Sequence, residues 1–566
     1  MGNFALVLHS HLPYVISHGK WPHGSVWLVE AATECYLPLL DMCDGLVEDG
    51  IQPNITIGIT PVLAEQLADP TFPFELNEYL ELKIGACNED RIRFKQDGDT
   101  QMAALADYWL DYYTYFLDLF NKQYEHDIIG QFRKLQDLGA IELITSSATH
   151  GYSPLIGYDD ALRAQFRVGV ETYKKHFHRQ PRGIWLPECA YRPGYEWTTP
   201  VGVDHTPRMR AGIEELLNEV GLRYFIVDSH LTEGGKPIGA YLARFEGLRK
   251  LWEQFELSQP PQPEKPTSPY ELHWVGDIEG KQPVGVFTRH PKTTLQVWSG
   301  EHGYPGDGYY LDFHKKHFPG GNRYWRVTSA KAGLGEKQPY EPDKVDWRLG
   351  ENADHFVSLV QQAISEAEAS GVKNPVVCAP FDTELFGHWW FEGIRWIDLV
   401  IRKLQNTNAT PITLGEKLDS VEVATRIHLP EGSWGEGGYH HIWYNADTEW
   451  TWEIIYDCER RMLDAVAKYG NTTKPELKKA LTQMGRELLL LESSDWQFLI
   501  STVSARDYAE MRFRVHHRDF DRMHEILMVL ANDGTLTEDQ SLTWEEIALR
   551  DGLFADLTPD AWRGKQ

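Results

Sequence analysis

The sequence predicts an α/β fold: a (β/α)7 parallel barrel with an inserted helical subdomain and a C-terminal all-helical domain. Three observations predict it. Seven short runs rich in β-branched and apolar residues lie between positions 4 and 381. Most are separated by segments long enough for crossover helices, which is the pattern of a parallel sheet. After about residue 423 such runs stop and helical periodicity takes over.

The predicted strands are Phe4–Leu8, Ile55–Thr60, Ile141–Thr145, Gly183–Leu186, Tyr224–Val227, Val284–Thr288 and Val376–Phe381. Crossover helices are expected at Ala161–Lys175 and Met209–Val220. The 80 residues between the second and third runs exceed one crossover, and Met102–Leu138 repeats Tyr and Leu on one face. A helical insertion is therefore expected over about 68–138. Ser258–Pro269 holds five prolines in twelve residues, so about 240–275 reads as an irregular excursion. Trp450–Tyr469, Lys474–Leu491 and Arg506–Ala531 are expected helices of the C-terminal domain. The division is thus 1–422 for the barrel and 423–566 for the helical domain.

The 566 residues carry 83 acidic and 55 basic side chains, a formal net charge of −28. Such a field repels phosphates, so no nucleic-acid or anionic-membrane partner is expected. A neutral substrate is not penalised. Twenty Trp, 26 Tyr and 23 Phe suit surfaces that stack on flat neutral rings such as sugars. The six cysteines form no C-x-x-C pair and sit in apolar runs, which suits buried free thiols in a reducing cytoplasm. No window reaches 18 apolar residues, and the first apolar run, Phe4–Leu8, is short for a signal-peptide core.

The polar residues fall at the ends of the strands. His9 and His11 follow the first, His150 the third and Glu188 the fourth. Asp228 and His230 follow the fifth, Arg289 the sixth and Asp382 the seventh. In a parallel barrel these carboxyl ends converge on one face, where active sites are built. Glu188 and Asp382 sit in apolar surroundings, where an unpaired carboxylate is costly. They are the candidates for nucleophile and acid/base in glycoside chemistry. The alternative is a pair of barrel salt bridges to Arg192 or Arg289. The spacing of His9 and His11 also occurs in zinc hydrolases, with His150, Asp228 and His230 available as further ligands. Hydrogen bonding to sugar hydroxyls would use the same rings, and spacing leaves both open. Trp298, Trp434 and Trp443 lie in polar or Gly-rich settings, and Gly303–Gly308 is a turn-rich loop beside Trp298.

Five segments resemble glycoside hydrolase family 57, and within it the α-glucan branching enzymes: His9–Tyr14, Gly58–Leu63, Trp185–Tyr191, Pro380–Trp390 and Ser433–Gly435. The likeness runs over nearly the whole chain. It implies a (β/α)7 barrel, a helical insertion and a helical C-terminal domain. It also implies a retaining mechanism with Glu188 as nucleophile and Asp382 as general acid/base, no metal and no cofactor. His9, His11, His150, Arg289, Gly306 and Asp495 are then expected to contact glucan. Trp434 is expected beside them as a glucan-contacting residue, and Trp27, Trp298 and Trp443 would be aromatic subsites. The substrate would be amylose, glycogen or amylopectin.

Two departures from the family pattern stand out. Thr502-Val503-Ser504 stands where the family usually has Thr-Gly-Gln. The loop near Thr232–Arg244 carries its tyrosine, Tyr241, out of register. Branching is therefore expected with more hydrolysis than usual. The rivals are an α-glucan hydrolase or 4-α-glucanotransferase of the same family, a zinc-dependent hydrolase, and a non-catalytic glycan-binding protein.

Overall fold

A computed structural model describes residues 2–237, 260–276, 283–298, 303–422 and 424–564. Seven strands form the barrel: β1 Gly2–Ser10, β2 Ile55–Ile59, β3 Ile141–Ser146, β4 Gly183–Trp185, β5 Tyr224–Val227, β6 Val284–Thr288 and β7 Val376–Asp382. Neighbours run β7-β1-β2-β3-β4-β5-β6, all parallel. The seam between β6 and β7 is held by a parallel bridge at Arg289 and Cys378, where the His290 N–H donates to the Cys378 carbonyl at 2.8 Å. Every strand is buried over nearly its whole length, which is why the runs are continuously apolar instead of alternating.

Register places the chemistry. Parallel pairing sets Leu8 beside Phe381 and His9 beside Asp382. Adjacent strands therefore deliver an imidazole and a carboxylate to the same end of the barrel.

Helices fill the space between β2 and β3: α1 Phe72–Gln96, α2 Thr100–Asp118 and α3 Ile128–Asp137. α2 shows why. The Asp99 carboxylate caps it by accepting from the Met102 N–H at 3.0 Å, and Met102, Leu105, Ala106, Trp109, Tyr113 and Phe116 bury one face. The crossover α4 spans Asp159–Phe177. Between β4 and β5, residues 209–212 are not helical as expected. Arg208–Arg210 pairs antiparallel with Tyr195–Trp197, and α5 starts only at Ile213. The Gly212 N–H is held by the Glu215 side chain there, closing the helix start. A long helix, α6 Val345–Ala369, precedes β7.

The Pro-rich stretch ends in a strand the composition hid. His273–Val275 adds antiparallel to β6 and pairs in turn with Arg426–Ile427. The C-terminal helices are α7 Glu449–Tyr469, α8 Pro475–Leu491, α9 Asp495–Thr502, α10 Arg506–Ala531 and α11 Glu538–Arg550. All six cysteines are free and buried. No described helix is long and apolar enough to cross a membrane.

Candidate active site

β4 ends one residue before a tight 3-10 turn, Pro187–Cys189. Within it Glu188 and Cys189 both lie in the left-handed region, at φ 59° and 47°. His150, four residues past β3, does the same at φ 60°. Non-glycine residues pay for this conformation, so the surroundings must impose it. They do at Glu188. Tyr191 and Gly432 exchange backbone hydrogen bonds at 2.9 and 3.0 Å, and the Trp434 N–H donates to the Glu188 carbonyl at 3.0 Å. A segment from the C-terminal region thereby clips the turn in place.

The turn opens on a cavity of about 330 Å³. Glu188 and Asp382 both line it, with His9, His11, His150, Trp27, Trp434 and Asp495. Barrel strand ends supply the floor and one side. The C-terminal region supplies Trp434, Asp495, Phe498 and Leu499. Leu12, Pro13, Ala31 and Trp185 add apolar wall.

Glu188 is half-buried, and the loss of solvent around it pushes its carboxyl up to about 8, with Asp382 and Asp495 adding repulsion. One contact opposes this: the Trp434 Nε1–H donates to Glu188 Oε2 at 2.7 Å. Glu384, two residues after Asp382, is also pushed up to about 8 by burial. Its Oε1 accepts from the Tyr36 hydroxyl at 2.6 Å and from the His11 N–H at 3.2 Å.

The three histidines form a stack. His9 lies flat on Trp185 with centroids 4.5 Å apart, and His11 on His150 at 3.9 Å. His9 Nε2 and His150 Nε2 are 3.1 Å apart. Burial holds His9 and His150 well below the ordinary imidazole range, so both are neutral near pH 7 and one nitrogen of this pair carries the proton. Burial alone would raise Asp495, yet His11 at 3.0 Å and a hydrogen bond from Ser493 bring it down to about 2.

His11, His150 and Asp495 have ligand atoms within 4.8 Å of one another, the spacing of a cation site. Their ring nitrogens already have hydrogen-bond partners. His11 uses Nδ1 on Thr60 and Nε2 on Asp495; His150 uses Nδ1 on Ser494 and Nε2 on His9. A metal would have to break the His11–Asp495 pair to enter. Of the other residues named as ligands, Asp228 and His230 pair with Arg289 and Gly438 and are absent from the cavity wall.

Four expected contacts are placed elsewhere. Arg289 lies fully buried behind the wall, its Nε donating to Asp228 at 2.9 Å and its guanidinium 5.4 Å from the Trp434 ring. It backs an aromatic instead of meeting the cavity. Trp443 is fully buried and stacked on Tyr152 at 4.3 Å, so neither face is open to a sugar. Trp298 is buried against Phe381 and Trp434. Gly306 lines a separate groove. Lys236 and Pro237 are described, but Ile238, Gly239, Ala240 and Tyr241 of the expected lid lie outside the described residues.

Glu384, His388, Trp389, Glu30 and Phe498 line the cavity and were not singled out from the sequence. The first three stood in the Pro380–Trp390 segment already quoted. Gly387 shows how that segment reaches the wall. At φ 102° it passes so close to the Glu34 carbonyl that a Cβ would sit 1.8 Å from it. Glu34 then bonds His388 Nδ1 at 2.5 Å and Arg323 at 2.8 Å.

Comparison with known proteins places this geometry. Residues 5–318 match the model for glycosyl hydrolase family 57, and residues 454–562 match that for the 1,4-α-glucan branching enzyme C-terminal region. The chain is 44% identical over 555 residues to the 1,4-α-glucan branching enzyme TK1436 of Thermococcus kodakarensis, covering 98% of this chain and 77% of that one. The crystal structure of TK1436 superposes with a TM-score of 0.89 at 41% identity, covering 100% of this chain and 97% of the other. The branching enzyme of Pyrococcus horikoshii gives 0.88 at 39%, with 100% and 97% covered. The α-amylase AmyC of Thermotoga maritima gives 0.81 at 28%, with 100% and 99% covered. The chain belongs to glycosyl hydrolase family 57.

Proposed function

We propose that this chain is a 1,4-α-glucan branching enzyme acting by double displacement. The observation that carries the reading is the sharing of one cavity by Glu188 and Asp382, which arrive from separate strand ends. In the reactive state the proton shared by the two carboxyls sits on Asp382: ionised Glu188 attacks the anomeric carbon of an α-1,4 link while Asp382 gives that proton to the departing oxygen. A glycosyl–enzyme ester forms and the rest of the glucan leaves. Asp382, now a carboxylate, takes the proton from a glucan 6-hydroxyl as that oxygen attacks the same carbon. The ester breaks, Glu188 is released, and the new link is α-1,6.

Trp434 supports the first step from outside the substrate. Its indole N–H holds the carboxylate oxygen of Glu188, and its backbone holds the turn. Trp27 gives the cavity an aromatic wall for the flat face of a sugar ring. His11, anchored to Thr60, fixes the Asp495 carboxylate on the cavity wall as an acceptor for hydroxyls.

We read residues 1–422 as the catalytic barrel and 423–566 as the domain that completes the cavity. Amylose, glycogen or amylopectin is the substrate, and six buried free thiols suit a reducing compartment.

The test is product analysis on linear amylose. Loss of iodine colour with new α-1,6 links, and little release of reducing ends, is expected. Reducing ends without α-1,6 links would turn the reading to a hydrolase. Longer and shorter linear chains alone would turn it to a 4-α-glucanotransferase.

A further inference from the structure

A second groove, of about 740 Å³, shares no lining residue with the catalytic cavity. Tyr304, Gly306 and Asp307 form one side, and Arg348, Glu351, Asn352 and His355 from α6 form the other. Its edges are fastened. Arg348 Nε donates to Asp307 at 2.6 Å and its Nη1 to Glu351 at 2.9 Å, while the Tyr304 hydroxyl and His355 Nδ1 are 2.8 Å apart.

Beside it Trp347 is 50% exposed, an unusual position for the largest apolar side chain. The Tyr309 ring props it edge-on, with centroids 5.5 Å apart, and Tyr309 is itself fixed through Asp307, which accepts its N–H at 3.0 Å. On α6, Trp347, Glu351 and His355 recur every four residues and so share a face. An exposed indole thus continues the wall of a polar groove.

We propose that this groove is a second docking site for an α-glucan chain, with Trp347 as the stacking surface and Glu351, Asn352 and Asp307 as acceptors and donors for hydroxyls. It rests on the α-glucan reading above. The electrostatics favour a neutral polyhydroxyl ligand over an anion. Arg348 is the one arginine or lysine on the wall among the described residues, and it is already shared between two carboxylates. A phosphate would also face Glu351 and Asp354. A neutral chain meets paired charges, a flat ring and many oxygens.

Such a site acts by holding a long polymer near the catalytic cavity, raising its local concentration there. It cannot help a chain too short to reach both places. This predicts a split by substrate length.

The test uses the full chain and its Trp347→Ala and Trp347→Phe variants. Retardation in gels containing glycogen is measured, with activity on amylose and on a short linear maltooligosaccharide. Trp347→Ala is expected to weaken retardation and raise KM for amylose about 3- to 10-fold, with kcat unchanged. Activity on the short substrate should stay at the wild-type level, and Trp347→Phe should restore most of the retardation. Equal retardation of wild type and Trp347→Ala would overturn the groove alone, as would a KM rise that is the same for both substrates. A wild-type chain that is not retarded and forms no α-1,6 links would remove the α-glucan reading itself.

Discussion

The indole nitrogen of Trp434 lies 2.7 Å from Oε2 of Glu188, and the backbone N–H of the same tryptophan lies 3.0 Å from the Glu188 carbonyl. One residue grips both ends of the candidate nucleophile. The backbone contact holds the left-handed turn. The side-chain contact stabilises the carboxylate against the burial that pushes it up to about 8. Trp434→Phe keeps the ring and the backbone bond and deletes only the Nε1 donor. A hydrogen bond to a charged group is worth about 1.5–3 kcal/mol, so kcat/KM should fall about 10- to 100-fold. The acid limb of its pH profile should move to higher pH, because the lost contact favoured the ionised form. A fall in rate with an unmoved limb would make Trp434 a packing residue only.

Burial of Glu188 also enters the stability of the fold. In the unfolded chain this carboxyl ionises in the ordinary carboxylate range; in the fold it keeps its proton to about 8. The folded state favours the neutral form. The associated stability is complete below the ordinary range and is lost as pH rises from there towards about 8. Glu188→Gln supplies a neutral side chain of the same shape. At pH 8 it should be more stable than wild type, on the order of 1–3 kcal/mol, and near pH 4 the difference should vanish. Calorimetry at the two pH values checks this. The same variant should form no trapped glycosyl–enzyme. Trapping at full level would place the nucleophile elsewhere.

His11 and Asp495 act as a pair across the interface between the barrel and the C-terminal region. Asp495 is held down to about 2, below its unfolded value, so its contribution is present at neutral pH and lost on acidification. Asp495→Asn should remove that contribution at pH 7, lower activity at least tenfold, and change little in stability below pH 2–3. Activity should survive exhaustive chelation, and metal analysis should find no stoichiometric zinc. Loss on chelation that zinc restores would instead assign His11, His150 and Asp495 to a metal.

How far these relationships could be read from the sequence differs by kind. Buried strands need continuous apolar runs, and all seven were legible; β5 and β6 even to the residue. α10 was legible to the residue as well, because a 26-residue helix repeats its face many times. His273–Val275 was not, since a three-residue strand after a Pro-rich stretch carries too little pattern. Of the polar strand ends, His9, His11, His150, Glu188 and Asp382 share the cavity, while Asp228, His230 and Arg289 are absent from its wall. Arg289, expected from its strand end, and Trp298 and Trp443, expected from their polar or Gly-rich settings, do not line the cavity. A large side chain in a polar or Gly-rich segment reads as exposed, and only packing reveals that Tyr152 covers Trp443 or that Asp228 captures Arg289. Glu384 escaped notice because its importance lies in burial beside Tyr36, a contact between residues 348 positions apart.

The last prediction concerns Val503, at the end of the helix that carries Asp495, Phe498 and Leu499. It caps α9 at φ 57° and ψ 20°, and the residue is 58% exposed. A β-branched residue is among the worst choices for this conformation, and an exposed one gains little packing in return. Glycine, which stands here in the usual family pattern, meets no Cβ clash. Val503→Gly should therefore raise stability by about 0.5–1.5 kcal/mol, visible as a higher Tm, despite the greater freedom glycine gives the unfolded chain. The Thr502 and Ser504 hydroxyls bond each other at 2.8 Å just past Phe498 and Leu499, two residues of the cavity wall. Relaxing the cap should steady that wall. Water and a glucan hydroxyl compete for the same glycosyl–enzyme, and a steadier wall excludes water better. Reducing-end release per α-1,6 link should fall in Val503→Gly when both are measured on one amylose sample. A Tm that drops would show that the left-handed cap carries no strain. A Tm that rises with an unchanged ratio would separate the strain from the control of water.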